Sequence, residues 1–155
     1  MAPKPTPLHQ RVAARLATLL DAQLPDQLCA LPDVEVVIVA QGPATVRAPD
    51  VLIVPTSLAE ANPPRLAAQD VVLAVKVLSP GTMRTDRVMK MVEYAQAGIH
   101  NYWIIDLAGG VCLSVFVLGE KAQELLGEMT GVVDLVPPAA PAPLRLDLPA
   151  LLARR

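Results

Sequence analysis

A chain of 155 residues with a hydrophobic share of 53% suits one globular domain with its own core. Its net charge of −2 excludes the strongly basic class to which nonspecific nucleic-acid binders belong, so any such contact rests on a local patch. No apolar run reaches the length of a membrane span, and the opening Met1 to Gln10 lacks the apolar centre of a secretory signal, so a cytoplasmic location is expected. Aromatic residues make up only 3%, so Val, Leu, Ile and Ala must fill the core, and base stacking on single strands is disfavoured. Cys29 and Cys112 lie far apart without metal-type spacing and read as two buried free thiols.

Residues 1–7 carry three prolines and read as a loose tail; residues 8–155 read as a single domain. Leu8, Val12, Leu16, Leu19 and Leu20 recur at helical spacing, with Thr6 as cap and Pro7 in the first turn. His9, at the start of that helix, is expected to be a solvated or capping side chain. Val34 to Ala40 predicts a strand, Gln41-Gly42-Pro43 a turn, and Thr45 to Arg47 the return of a hairpin. Glu35 is the one charge inside the first of these strands, and Arg47 reads as a solvated strand charge. Pro49 fixes the backbone before Asp50, which stands at the edge of a short apolar strand, Val51 to Val54. Pro55 to Asp70, with Pro63-Pro64, reads as a loop.

Val71 to Pro80 reads VVLAVKVLSP, and the chain is organised around it. An apolar run rich in β-branched residues and stopped by Pro and Gly predicts a buried central strand. Its single charge, Lys76, is costly there unless paired. Beyond it Gly81 to Arg84 leads into a helix with Val88, Met91, Val92 and Ala95 on its apolar face, and Gly98 suits its left-handed cap. Asp86 and Lys90 form an acid-to-base pair at i,i+4, which by itself is a solvated pair, and Tyr94 one turn on reads as packing. Asn101 to Asp106 and Val111 to Leu118 predict a hairpin across Ala108-Gly109-Gly110, with Trp103 in the core or an interface. Residues 120–135 predict short further strands. Leu144 to Leu148 alternates like an edge strand, and a last helical turn closes the chain. A helix, several strands, a helix and more strands predict an α/β or α+β domain, a central mixed sheet flanked by helices.

Arg47-Ala48-Pro49-Asp50-Val51, the strand VVLAVKVLSP, Asp86-x-x-x-Lys90-x-x-x-Tyr94, Ala97-Gly98-Ile99 and Tyr102-Trp103-Ile104-Ile105-Asp106 stand in one order. Together they resemble the bacterial Uma-type restriction-endonuclease-like family of the PD-(D/E)XK nuclease superfamily, from about Leu8 to Leu118. The resemblance implies a restriction-endonuclease-like fold, DNA as substrate and magnesium or manganese as cofactor. It implies Asp50 as a metal ligand and Lys90 as the catalytic lysine, carried on the helix. The second ligand, an acidic residue of the central strand, falls at Lys76.

Two carboxylates hold a magnesium ion through oxygen, the ion polarises the phosphodiester, and a lysine stabilises the added negative charge. An ammonium in place of one carboxylate reverses the sign of the site. Lys76 is therefore expected to pair with Asp50 in a partly buried salt bridge and to expel the ion. Glu35 or Asp70 rebuilding the ligand set, and Lys76 serving as the catalytic lysine, are the other two arrangements considered. Two functions follow: a metal-dependent DNA endonuclease, or a non-catalytic relative, a pseudoenzyme binding nucleic acid or a protein partner. A homodimer is left open, and no residue is assigned to substrate binding.

Overall fold

The structure is a computed structural model and describes residues 4–39, 43–78, 84–120, 122–137 and 140–154, without the side chains of Val39 and of residues 84–89. The expected turn at Gln41-Gly42, the Ser79-Pro80 terminator and the Asp86 and Val88 side chains lie outside the described residues.

Helix α1, Pro7–Asp21, begins where the sequence places it: the Thr6 side chain accepts from the His9 backbone N–H, and proline sits in the first turn. Its buried stripe is His9, Val12, Ala13, Leu16, Ala17 and Leu20. His9 shares that stripe because it stands three residues before Val12 and seven before Leu16, which is one helix face. Two guanidiniums fasten the far end of the chain to this helix. Arg11 donates to the Ala153 and Arg154 carbonyls, and Arg15 to those of Ala150, Leu151 and Ala153.

The main sheet has six strands in the order β1-β4-β6-β7-β8-β9. They are β1 Leu28–Pro32, β4 Val51–Pro55, β6 Leu73–Leu78, β7 Asn101–Asp106, β8 Cys112–Leu118 and β9 Gln123–Met129. β6 and β7 run parallel; the other neighbours are antiparallel, so the sheet is mixed as expected. β2 Val36–Val39 and β3 Thr45–Arg47 form the expected hairpin, extended by β5 Leu66–Ala67, while β10 Val132–Leu135 pairs with β11 Leu144–Asp147. Helix α2, Thr56–Ala61, and a 3-10 turn, Ala68–Asp70, occupy what reads in sequence as a loop. Pro63 and Pro64 mark only the break between them. β1 was not expected: its short LCALP run has no clean alternation, and its pairing with β4 defines it.

The sheet separates two cores. Val51, Ile53, Val75, Val77, Trp103 and Ile105 pack under α1, and Leu52, Ala74, Ile104 and Phe116 pack with Tyr94 and Ile99 on the other face. Trp103 is thus a core residue. Tyr94 and Ile99 belong to the end of helix α3, Arg84–Gln96, and its cap. Gly98 takes φ +83°, its N–H donates to the Ala95 carbonyl and that of Ile99 to the Tyr94 carbonyl. This hydrogen-bond pattern ends a helix with a glycine in the left-handed region and an apolar clasp across it. The clasp here is Ile99 on Tyr94, which holds the phenol beneath the sheet. Val92, expected on the apolar face of α3, is 48% exposed instead. Cys29 and Cys112 are free, and both are half-buried rather than buried. No helix among the described residues is long and apolar enough to cross a membrane.

Candidate functional site

β6 is paired on both sides, with β4 and with β7, and is buried except at Lys76. Period two turns Val75 and Val77 toward α1 and Lys76 toward the face of Ala74 and Leu78. Across from it, the β4–β6 register matches Val51 with Val75, and one step further Asp50 meets Lys76. The Asp50 backbone N–H donates to the Val75 carbonyl at 3.0 Å, which extends the ladder by that step.

The Asp50 carboxylate is surrounded by donors. Lys76 Nζ lies 3.3 Å from Oδ2, and the Val77 backbone N–H donates to the same oxygen at 2.7 Å. His9 Nε2 lies 3.1 Å from Oδ1. Side-chain exposure is 11% for Asp50, 22% for Lys76 and 4% for His9, so the three groups meet at the edge of the core. The expected salt bridge between Asp50 and Lys76 is present. His9 is neither solvated nor limited to capping: its backbone serves the cap while its ring is buried against Asp50. Sequence reasoning missed this residue. The signal was its place on the apolar stripe of α1, where a polar ring needs a partner. His9 Nδ1 is buried and has no hydrogen-bond partner among the described residues.

Tyr94 closes the site from the α3 side. It is buried, and its ring meets Tyr102 edge-on at a centroid distance of 5.1 Å. Burial first, and then the negative charge of Asp50, push its phenol well above the ordinary value of 10.0. Arg47 is not a solvated strand charge. Its Nε and Nη2 grip the two Glu93 oxygens at 2.9 and 2.8 Å, a two-point bond that ties β3 to α3 beside Tyr94. Lys90 is half-buried one turn before Tyr94.

Glu35 and Asp70 do not complete the site. Glu35 is held by Arg65 at 2.8 Å in an exposed pair, and Asp70 ends the 3-10 turn before β6. Among the described residues no group of three or more His, Cys, Asp and Glu side chains could hold a metal ion. The donor set at Asp50 therefore does not fit a divalent ion. One carboxylate oxygen faces an ammonium and a backbone N–H, and the other faces an imidazole. A shallow cleft of about 270 Å³ opens beside Asp50, between Gln10 and Ala13 of α1 and the turn at Pro32-Asp33.

The fold has a solved counterpart. A crystal structure described as "a putative nuclease belonging to DUF820", from Anabaena variabilis, superposes with a TM-score of 0.69 at 17% identity, over 97% of this chain and 83% of that one. No curated protein matches the chain. A family model described as "Putative restriction endonuclease" covers residues 1–147, which includes α1, the strands on either side of Asp50 and Lys76, and α3. On that match the chain belongs to the Uma2 family.

Proposed function

We propose that this chain is a non-catalytic member of its nuclease family, one that keeps the fold and the first aspartate and supplies the cation from its own backbone strand. The observation that carries this reading is the Asp50–Lys76 contact of 3.3 Å. Two unit charges about 4 Å apart at an effective dielectric of about 20 interact by roughly 4 kcal/mol. The repulsion between an ammonium and a divalent ion is about twice that, and about 5.5 kcal/mol already moves an equilibrium by a factor of about 10⁴. Lys76 therefore excludes magnesium or manganese from Asp50 for as long as it carries its proton. The family points to DNA as the molecule recognised, held without being cut. A cytoplasmic location and a homodimer are compatible with this reading and do not depend on it.

The second reading is a magnesium-dependent DNA endonuclease. The family match favours it, and so does the presence of two lysines, Lys76 and Lys90, on the elements that flank the site. Nicking of supercoiled plasmid in magnesium and in manganese separates the two. The expected result is that the wild-type chain leaves the plasmid intact in both ions. Metal-dependent cutting by the wild type that Asp50→Ala abolishes would establish the endonuclease instead.

A further inference from the structure

Charge is divided unevenly along this chain. Residues 4–20 and 148–154 hold Lys4, Arg11, Arg15 and Arg154 and no acid, whereas residues 21–147 hold eight cations against all 15 Asp and Glu. The two segments meet in space. Arg11 donates to the Ala153 and Arg154 carbonyls at 3.0 and 3.1 Å, and Arg15 to those of Ala150, Leu151 and Ala153, which brings Arg154 beside Arg11. The charges gathered there are held but not cancelled. Arg47, Arg65, Lys76 and Arg145 each lie within 3.9 Å of a carboxylate. Among the described residues Arg11, Arg15 and Arg154 meet none, although acids outnumber cations in the chain. A carbonyl orients a guanidinium without removing its charge. Arg11 bonds through Nη2 alone and Arg15 through Nη1 alone, so each keeps the donors of Nε and of its other Nη for a further acceptor.

We infer that Arg11, Arg15 and Arg154 form the surface on which the sugar–phosphate backbone of duplex DNA is held. This deepens the reading that the chain holds DNA without cutting it, and rests on that reading. Arg11 and Arg15 stand about one turn apart, about 6 Å along the helix axis, and so present two forks to neighbouring phosphates of one strand. A guanidinium suits that task because its planar fork matches phosphate oxygens. A chain of balanced charge needs a local patch to meet a polyanion, and the outer side of α1 supplies one. The cleft beside Asp50 does not: its lining carries the carboxylates of Asp33 and Asp50 and no cation. One acid adjoins the arginines, Asp147, whose Oδ1 accepts from the Ala150 N–H at 3.2 Å. Three guanidiniums outweigh it.

The test is fluorescence anisotropy of a short labelled duplex with the full chain, in EDTA, across a salt series. Each phosphate neutralised adds about 0.9 to the steepness of log affinity against log salt, so three cations give about 2.7, or a loss of about fortyfold between 50 and 200 mM. Replacing Arg11 and Arg15 together by Gln flattens the slope by about two units, and replacing both by Lys restores it. Arginines that only fasten the chain end would lower the melting temperature and leave the slope unmoved. Should the double Gln variant fail to fold, Arg154→Gln decides alone, since the Arg154 side chain holds nothing in place among the described residues; it flattens the slope by about one unit. Arg65→Gln, on another surface, leaves the slope unchanged. No binding at 50 mM salt, a slope indifferent to Arg154→Gln, or a slope reduced as much by Arg65→Gln would each overturn the inference. So would binding to vesicles of phosphatidylserine and phosphatidylcholine with none to the duplex. EDTA removes any cutting from this assay, so whether the wild type cleaves DNA is decided by the plasmid experiment and not by these outcomes.

Discussion

Two ion pairs in this molecule use the same chemistry in opposite surroundings. Glu35 and Arg65 meet at 2.8 Å with side chains 52% and 51% exposed, while Asp50 and Lys76 meet at 3.3 Å with side chains 11% and 22% exposed. The shorter contact is the weaker one. Water screens the exposed pair and would solvate either partner if the other left. At Asp50 water is largely excluded, so each group depends on the others that face it. Distance alone does not rank charged contacts; what happens to the abandoned partner does.

The largest expected effect comes from breaking the buried side of this comparison. Asp50→Ala strands the Lys76 ammonium, the Val77 N–H and His9 Nε2 together. Removing one member of a buried pair costs about 3–5 kcal/mol, and the partial exposure of Lys76 points to the lower end, about 3 kcal/mol. Urea unfolding of the two chains measures it. A loss below about 1 kcal/mol would mean that the trio is solvated and that the contrast with Glu35–Arg65 is empty.

A second prediction sharpens the contrast through pH. The Tyr94 phenol is raised above its ordinary value of 10.0 by burial and by the charge on Asp50. Below about pH 10 the folded and unfolded chains both hold that proton. Above it the unfolded chain releases the proton while the folded chain retains it. Stability contributed by Tyr94 is thus fully present below pH 10 and falls as pH rises, by up to about 1.4 kcal/mol for each pH unit. Tyr94→Phe removes this term, so the difference between variant and wild type should shift in favour of the variant between pH 10 and 11. A difference that stays constant across that range would place the phenol in contact with solvent.

Much of the frame was legible in the sequence because the signals were local. Val12, Leu16 and Leu20 on the stripe of α1 follow from helical spacing, although Leu8, which that spacing includes, is 42% exposed and His9 takes the buried place. β6 follows from an apolar run with a stop, and the end of α3 from a glycine where a left-handed residue is required. For Lys76 the residues alone said only that a charge in a buried strand calls for a polar pocket or a carboxylate. Asp50 was singled out as its partner by the family resemblance, which makes positions 50 and 76 two ligands of one site. The failures lie where a residue is defined by something distant in sequence. LCALP becomes a strand only by pairing with β4. Arg47 looked solvated because Glu93, which grips it, is 46 residues away. His9 looked like a helix start because nothing in its own segment announces Asp50, 41 positions on and 3.1 Å from its ring. Its place on the buried stripe was visible, but a partner for it was not.

The smallest expected effect closes the comparison from the exposed side. Glu35→Ala removes a carboxylate that touches Arg65 in open water, at the foot of β2 where the Glu35 carbonyl also accepts from the Leu66 N–H. That backbone bond survives the substitution, so the pairing of β2 with β5 is retained. Arg65 regains hydration in full, and the lost attraction is offset by the freedom both long side chains recover. The change in unfolding free energy should therefore stay within about 0.5 kcal/mol and shrink further in high salt. A loss near that of Asp50→Ala would show that Glu35 does more than hold Arg65, and burial would no longer explain why one pair matters and the other does not.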